Sequence, residues 1–216
     1  MAPGVGSMNY DCIIWDWNGT LLDDVSASLR SVNDMLRARR MDEMDIVRYK
    51  ECIGVPIIRF YEKVFDLDNE DYNSILREYN EGYLRHLGDC GLSEGSREAL
   101  EFFREAGCLQ IIVSSSNNTQ LTENVEKYGV TEYFDAILGS ENYLAESKIE
   151  RAKNYIKSKG SKHPLVIGDL EHDSALAREI GADCVLLTTG HEKTSRLEES
   201  GARVVDSLTE MLDKIR

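Results

Sequence analysis

Positive charge is what this chain lacks most. Its 216 residues carry 25 Lys and Arg against 39 Asp and Glu, a net charge of −14. A phosphate backbone is gripped by clustered positive surface, so nucleic acid is excluded as a partner. Long apolar runs are missing too: the longest, such as Cys184–Leu187, fall far below the roughly 18 residues of a membrane-spanning helix. With no signal-peptide pattern at the start, a cytoplasmic protein without membrane contact is expected. Cys12, Cys52, Cys90, Cys108 and Cys184 are odd in number and scattered, with no CxxC or Cys/His spacing. They predict reduced thiols, and neither a disulfide frame nor a zinc site. No repeat or low-complexity tract interrupts the chain.

What is present is an ordinary globular composition, 42% hydrophobic and 30% charged. Against roughly 100–200 residues per domain, the length suits one core with a smaller accessory unit. Residues 1–7, ahead of Met8, read as an expression remnant and are set aside. Short apolar runs at Tyr10–Trp15, Leu109–Val113, Ala136–Leu138, Leu165–Ile167 and Cys184–Leu187 predict buried parallel strands. Between them, helices are predicted over Ser96–Ala106, Thr119–Tyr128, Lys148–Lys157 and Ser174–Ile180, the second and last stopped by Gly129 and Gly181. The alternation predicts an α/β fold with a Rossmann-like, doubly wound parallel sheet. Between Asp23 and Cys90 the pattern is helix alone: Val25, Leu29, Val32 and Leu36 fall at helical spacing, followed by Pro56–Phe65 and Asp71–Leu87. The expected organisation is a Rossmann-like catalytic core formed by 8–22 and 91–216, with a small helical cap at 23–90. The cap is entered and left through hinges near Leu22–Asp24 and Gly88–Leu92.

In open α/β sheets, ligands bind beyond the carboxyl ends of the strands, where the winding reverses. Three such ends carry polar clusters: Asp16-Trp17-Asn18-Gly19-Thr20, Ser114-Ser115-Ser116-Asn117 and Gly168-Asp169-Leu170-Glu171-His172-Asp173. Each alone has an ordinary explanation. Asn18-Gly19 is a turn signal, Ser114 a strand-end hydroxyl and Asp173 a helix cap. Lys148 is less ordinary, because Ser147 and Glu150 form a capping-box pattern that sets a lysine in a helix's first turn, against the dipole. Together these residues supply what phosphoryl transfer needs: a nucleophile, carboxylates for a divalent cation, and positive or hydrogen-bonding groups for the equatorial oxygens. A bound cation and Lys148 also reconcile an acidic protein with a small anionic substrate.

In this order, DxxGT at Asp16–Thr20, the strand-end Ser114, then Lys148, then GDxxxD at Gly168–Asp173 resemble the haloacid dehalogenase superfamily, in its phosphatase branch with a helical cap inserted after the first motif. The likeness spans essentially the whole native chain, and phosphoglycolate phosphatase is the nearest activity. It implies an aspartyl-phosphate on Asp16, with Ser114, Ser115 and Lys148 holding the phosphoryl group. It also implies Mg²⁺ bound by Asp16, Asp169, Asp173 and the Asn18 main-chain carbonyl. The substrate it implies is a small phosphorylated metabolite.

One position departs from that pattern. Such phosphatases usually carry a second aspartate two residues after the nucleophile, which protonates the leaving alkoxide and then activates water; here the residue is Asn18. An amide does not exchange protons at neutral pH, and losing a general acid/base costs about 10²- to 10⁴-fold in rate. One reading is a hydrolase in which water or the substrate supplies the proton. A second is a binding or regulatory protein that keeps Mg²⁺ and phosphate affinity without turnover. A third is a phosphonatase-type C–P hydrolase using a cap lysine, Lys50 or Lys63, as a Schiff base. A metal-free dehalogenase is opposed by the GDxxxD carboxylates. Retention of Asp16, Lys148, Asp169 and Asp173 favours the first. Asn18-Gly19 is also a deamidation-prone pair. Elsewhere, His172 reads as a solvated helix-start residue and His191 as a strand-end loop residue on the site's side. Arg39, Arg40 and Arg59 read as cap surface within reach of a substrate carboxylate.

Overall fold

The computed structural model describes residues 9–54, 56–140 and 147–215. The expected remnant at 1–7, and Met8 at the start of the expected core, lie outside the described residues. The chain opens with β1 (Cys12–Trp15) and β2 (Leu22–Asp23), and passes through α1 (Val25–Ala38), α2 (Ile46–Cys52), α3 (Ile58–Val64) and α4 (Tyr72–His86). It returns through β3 (Gly91–Leu92). From there helix and strand alternate: α5 (Ser96–Glu105), β4 (Leu109–Asn117), α6 (Asn118–Lys127), β5 (Ala136–Ser140), α7 (Lys148–Lys159), β6 (Pro164–Gly168), α8 (Glu171–Ile180), β7 (Asp183–Leu187), α9 (Thr194–Glu199), β8 (Arg203–Val205) and α10 (Leu208–Ile215).

Every residue of β1 is buried, and the alternation sends its side chains into two different cores. Cys12 and Ile14 pack with Ile111, Val113 and Val166 on one face of the sheet. Ile13 and Trp15 pack with Ile112, Leu165 and Ile167 on the other. Burial on both faces is why these strands read as continuous apolar runs. The strands lie side by side as β5, β4, β1, β6, β7, β8, all parallel. Winding reverses at β1, so the crevice that such sheets use for ligands opens at the end of β1 between β4 and β6.

The helices α1 to α4 gather Val32, Met35, Leu36, Tyr49, Phe60 and Ile75 into an apolar cluster of their own. The all-helix expectation needs one correction at its edges. Leu22 pairs with Leu92 and Asp23 with Gly91, so the two crossings form an antiparallel ribbon rather than plain hinges. Strands of two residues are too short for an alternation to show in the sequence. Helix α2 also escaped the periodicity, because only Tyr49 of its seven residues is buried. All five cysteines are free thiols, and among the described residues no helix is long and apolar enough to cross a membrane.

Candidate active site

The β1–β6 ladder delivers Asp16 to the sheet edge: its amide still donates to the Ile167 carbonyl at 2.9 Å before the chain turns. The turn closes through Leu22 N donating to the Trp17 carbonyl at 2.9 Å. Gly19 adopts φ +73°, and a Cβ there would collide with the Asp169 carboxylate and the His191 ring. Only glycine lets the backbone pass so close at that angle.

Asp16, Asp169 and Asp173 converge. All three are buried, and one carboxylate oxygen from each lies within 4.8 Å of the others. Lys148 enters from the first turn of α7, where the expected capping box is present: Glu150 N donates to Ser147 Oγ at 3.2 Å and Ser147 N to Glu150 Oε2 at 2.8 Å. The Lys148 ammonium donates to Asp16 Oδ1 at 2.5 Å and to Asp173 Oδ1 at 2.7 Å. Burial opposes its charge, but those two carboxylates outweigh burial and hold its pKa above the ordinary lysine value. The other Asp173 oxygen receives the amides of Asp169 at 3.2 Å and Leu170 at 3.1 Å, so the helix-capping explanation of Asp173 is also correct.

Three carboxylates thus face one ammonium. Burial raises the pKa of Asp16, with Lys148 pulling the other way, and burial likewise raises that of Asp169 against the pull of His191. A buried set of hard oxygen donors with a shortfall of positive charge fits a divalent cation such as Mg²⁺. Asp169 is oriented for it by His191 N at 2.6 Å from Oδ2 and by Thr20 Oγ1 at 3.4 Å from Oδ1.

The serines divide. Ser114 is buried, its Oγ accepts from Ser116 N at 3.1 Å, and its carbonyl accepts from Arg151 at 2.7 Å. Ser115, one step along an alternating strand, is exposed and makes no hydrogen bond to Asp16, Lys148 or Asp173. Ser116, which the sequence did not single out, donates to Asn18 Oδ1 at 2.8 Å. Asn18 Nδ2 donates to Asp24 Oδ2 at 2.7 Å and to the Tyr83 hydroxyl at 2.9 Å. The Gly19 nitrogen whose attack would deamidate Asn18 is held by the Leu22 carbonyl at 2.9 Å and by Asp24 Oδ1 at 2.7 Å, which opposes that reaction.

Asp24 is the residue that sequence reasoning missed, while His191, expected on the site's side as a loop residue, is its partner. His191 is 9% exposed, not an ordinary loop residue; its Nε2 lies 3.1 Å from Asp24 Oδ1 and its Nδ1 2.9 Å from the Tyr49 hydroxyl. Burial works against a charged imidazole, but Asp24 beside it prevails and pushes the pKa up to about 9. Burial would raise Asp24, yet His191 and the surrounding donors bring it below the usual carboxylate value. The strand end Thr188-Thr189-Gly190 ahead of His191 set it on the site's side, and nothing local pointed to Asp24.

Residues 13–187 match the model of the haloacid dehalogenase-like hydrolases. The chain belongs to that family. This hydrolase is 27% identical over 183 residues to a 5′-nucleotidase of Pseudomonas aeruginosa, covering 83% of each chain. It is 25% identical over 191 residues to a phosphoglycolate phosphatase of Rhodobacter capsulatus, covering 84% of this chain and 86% of that one. Its fold matches a haloacid dehalogenase-like hydrolase from Streptococcus pneumoniae with a TM-score of 0.82 at 17% identity, over 96% of this chain and 99% of the other.

The remaining candidates in the hydrolase separate clearly. His172 is half-buried at the start of α8 instead of solvated, and burial, then Lys148, push its pKa down. Arg39 is bound inside the helical insertion to Glu70 and Glu78, over the Phe65 ring, whereas Arg40 and Arg59 are exposed. Lys50 reaches the core and donates to the Thr188 carbonyl at 3.0 Å, with its pKa lowered by burial. Lys63 stays within the insertion, donating to the Cys52 carbonyl.

Proposed function

We propose that this hydrolase is a Mg²⁺-dependent phosphatase in which Asp16 attacks the phosphorus of a small phosphorylated metabolite, with 23–90 acting as a cap over the site. The observation that carries the reading is Lys148 clasped between Asp16 and Asp173 beside Asp169. In the first step an Asp16 oxygen bonds to phosphorus as the ester P–O bond breaks. The alkoxide that leaves takes its proton from water, because the Asn18 amide has none to give at neutral pH. Water then attacks the aspartyl-phosphate and frees the carboxylate. Asp16, Asp169, Asp173 and the Asn18 main-chain carbonyl would hold a divalent ion, which would supply positive charge to the transferring phosphoryl group. Lys148 adds a second positive charge there, and Ser114 and Ser115 are the proposed hydroxyl contacts.

The relatives named 5′-nucleotidase and phosphoglycolate phosphatase support phosphate-ester hydrolysis over carbon–halogen chemistry. Phosphate release from a panel headed by phosphoglycolate and nucleoside 5′-monophosphates tests the proposal. The expected result is release that requires Mg²⁺ and is absent in Asp16→Asn. Release indifferent to either contradicts it, and binding without release moves the assignment to a regulatory protein. Lys50 supports a second reading, since it combines a burial-lowered pKa with contact to the core. Phosphate released from a phosphonoaldehyde, with borohydride trapping the substrate on the native protein but not on Lys50→Met, would establish C–P cleavage through a Schiff base instead.

A further inference from the structure

Asn18 is surrounded by polar groups that suit an amide, a donor facing its oxygen and acceptors facing its nitrogen. Its Oδ1 accepts from Ser116, and Nδ2 donates toward Asp24 Oδ2 and the Tyr83 hydroxyl, which itself donates to the same Asp24 oxygen. An amide nitrogen supplies the donor this corner needs, and a carboxylate supplies none. A carboxylate at the same position would place an oxygen about as close to Asp24 Oδ2 as the 2.7 Å now spanned by a hydrogen bond, where only a donor fits. Asp24 itself is 1% exposed and receives donors from three parts of the chain. Gly19 N and Asn18 belong to the nucleophile turn, Tyr83 to α4, and His191 to the loop after β7. Tyr49 of α2 extends the chain of contacts through His191 Nδ1, and the His191 amide grips Asp169. One carboxylate therefore connects the Asp16 turn, the helical insertion and the loop that orients Asp169.

From this juxtaposition we infer that Asp24 is a positioning residue that fixes the nucleophile turn against the helical insertion, and that Asn18 is its required partner in a coupled amide–carboxylate pair. Position 18 is then not a site with its acid deleted. Adding a carboxylate there, without removing the one at 24, sets two acceptors against each other. The catalytic half of this inference rests on the phosphatase reading; the pairing does not.

The test is a double-mutant cycle on the full chain, comparing Asn18→Asp, Asp24→Asn and the double variant, read by thermal midpoint and by kcat and KM separately. Asn18→Asp alone is expected to lower the midpoint and to cut kcat by roughly tenfold or more with KM little changed. On the Asp24→Asn background, the same substitution is expected to raise both midpoint and kcat, because amide and carboxylate have exchanged places. An Asn18→Asp chain that fails to fold while the double variant folds supports the pairing equally. Equal effects of Asn18→Asp on both backgrounds, including failure to fold on both, overturn it. So does a kcat that rises with Asn18→Asp alone, which would reinstate the missing acid. Coupled midpoints with uncoupled kcat overturn the positioning role. The midpoints need no substrate, so the pairing stands or falls separately from the phosphatase reading.

Discussion

Asp16 and Asp24 lie eight positions apart, on either side of one turn, and the fold treats the two buried carboxylates in opposite ways. Asp24 is met by Gly19 N, Asn18, Tyr83 and His191, donors enough to hold its charge below the usual pKa despite burial. Asp16 shares a single ammonium with Asp173 and stands beside Asp169, and burial raises both Asp16 and Asp169. Each carboxylate's surroundings suit a different task. A carboxylate saturated with fixed donors organises its surroundings, while a cluster short of positive charge is prepared to receive more, from a cation or in the course of a reaction.

Lys148 gives the largest expected break in this contrast. Lys148→Met leaves three buried carboxylates without their ammonium and is expected to cost about 3–5 kcal/mol in denaturant unfolding, with Mg²⁺ recovering part of the loss by mass action. Unchanged stability would mean that the cluster is already neutralised by other means. Next come two isosteric changes that should move stability in opposite directions in the absence of Mg²⁺. Asp24→Asn removes the charge its donors answer and is expected to cost about 1–3 kcal/mol. Asp169→Asn removes an uncompensated like charge and is expected to raise the thermal midpoint, by the equivalent of about 1 kcal/mol. Shifts of the same sign would erase the distinction.

The pH dependence carries the same contrast with a smaller amplitude. Asp24, depressed in the native state, contributes stability above the unfolded carboxylate value near 4, and that contribution is lost as pH falls through its native pKa. Asp169 is raised, so the native state holds its proton more tightly, and stability is expected to decline as pH climbs from about 4 toward neutrality. Unfolding free energy measured from pH 5 to 7 without Mg²⁺ should therefore fall more steeply in the native protein than in Asp169→Asn; parallel curves would remove Asp169 as the source. The smallest effect is expected at Ser115, where exposure limits Ser115→Ala to about 0.5 kcal/mol in unfolding free energy, while Ser114→Ala, buried within β4, should exceed it.

Much of the core was legible because its information is local. Strands buried on both faces read as apolar runs, and Ser147 with Glu150 announced the helix start that presents Lys148. The strand-end rule then gathered Asp16, Asp169 and Asp173. What escaped was carried by contacts without local signature. Asp24 lay in a segment read as a hinge, and its partner His191 is 167 positions away. Tyr49 and Tyr83 sit on helices whose spacing reports burial, not which hydroxyl reaches the site. Asn18, read from sequence as a vacancy in the chemistry, acquires a partner only when the turn, α4 and the loop after β7 are seen together.

Asp16 as the nucleophile of a phosphatase is checked by acid-quenching the native protein during turnover of a panel substrate with Mg²⁺ and locating any covalent phosphoryl group by peptide mass spectrometry. Position 18 offers no ionisable group to either step, so samples are quenched at several times across a single turnover. A phosphoryl group on Asp16, absent from Asp16→Asn, is the predicted result. Phosphate released with no covalent phosphoryl group, or with one on a different residue, would rule out Asp16 as the nucleophile.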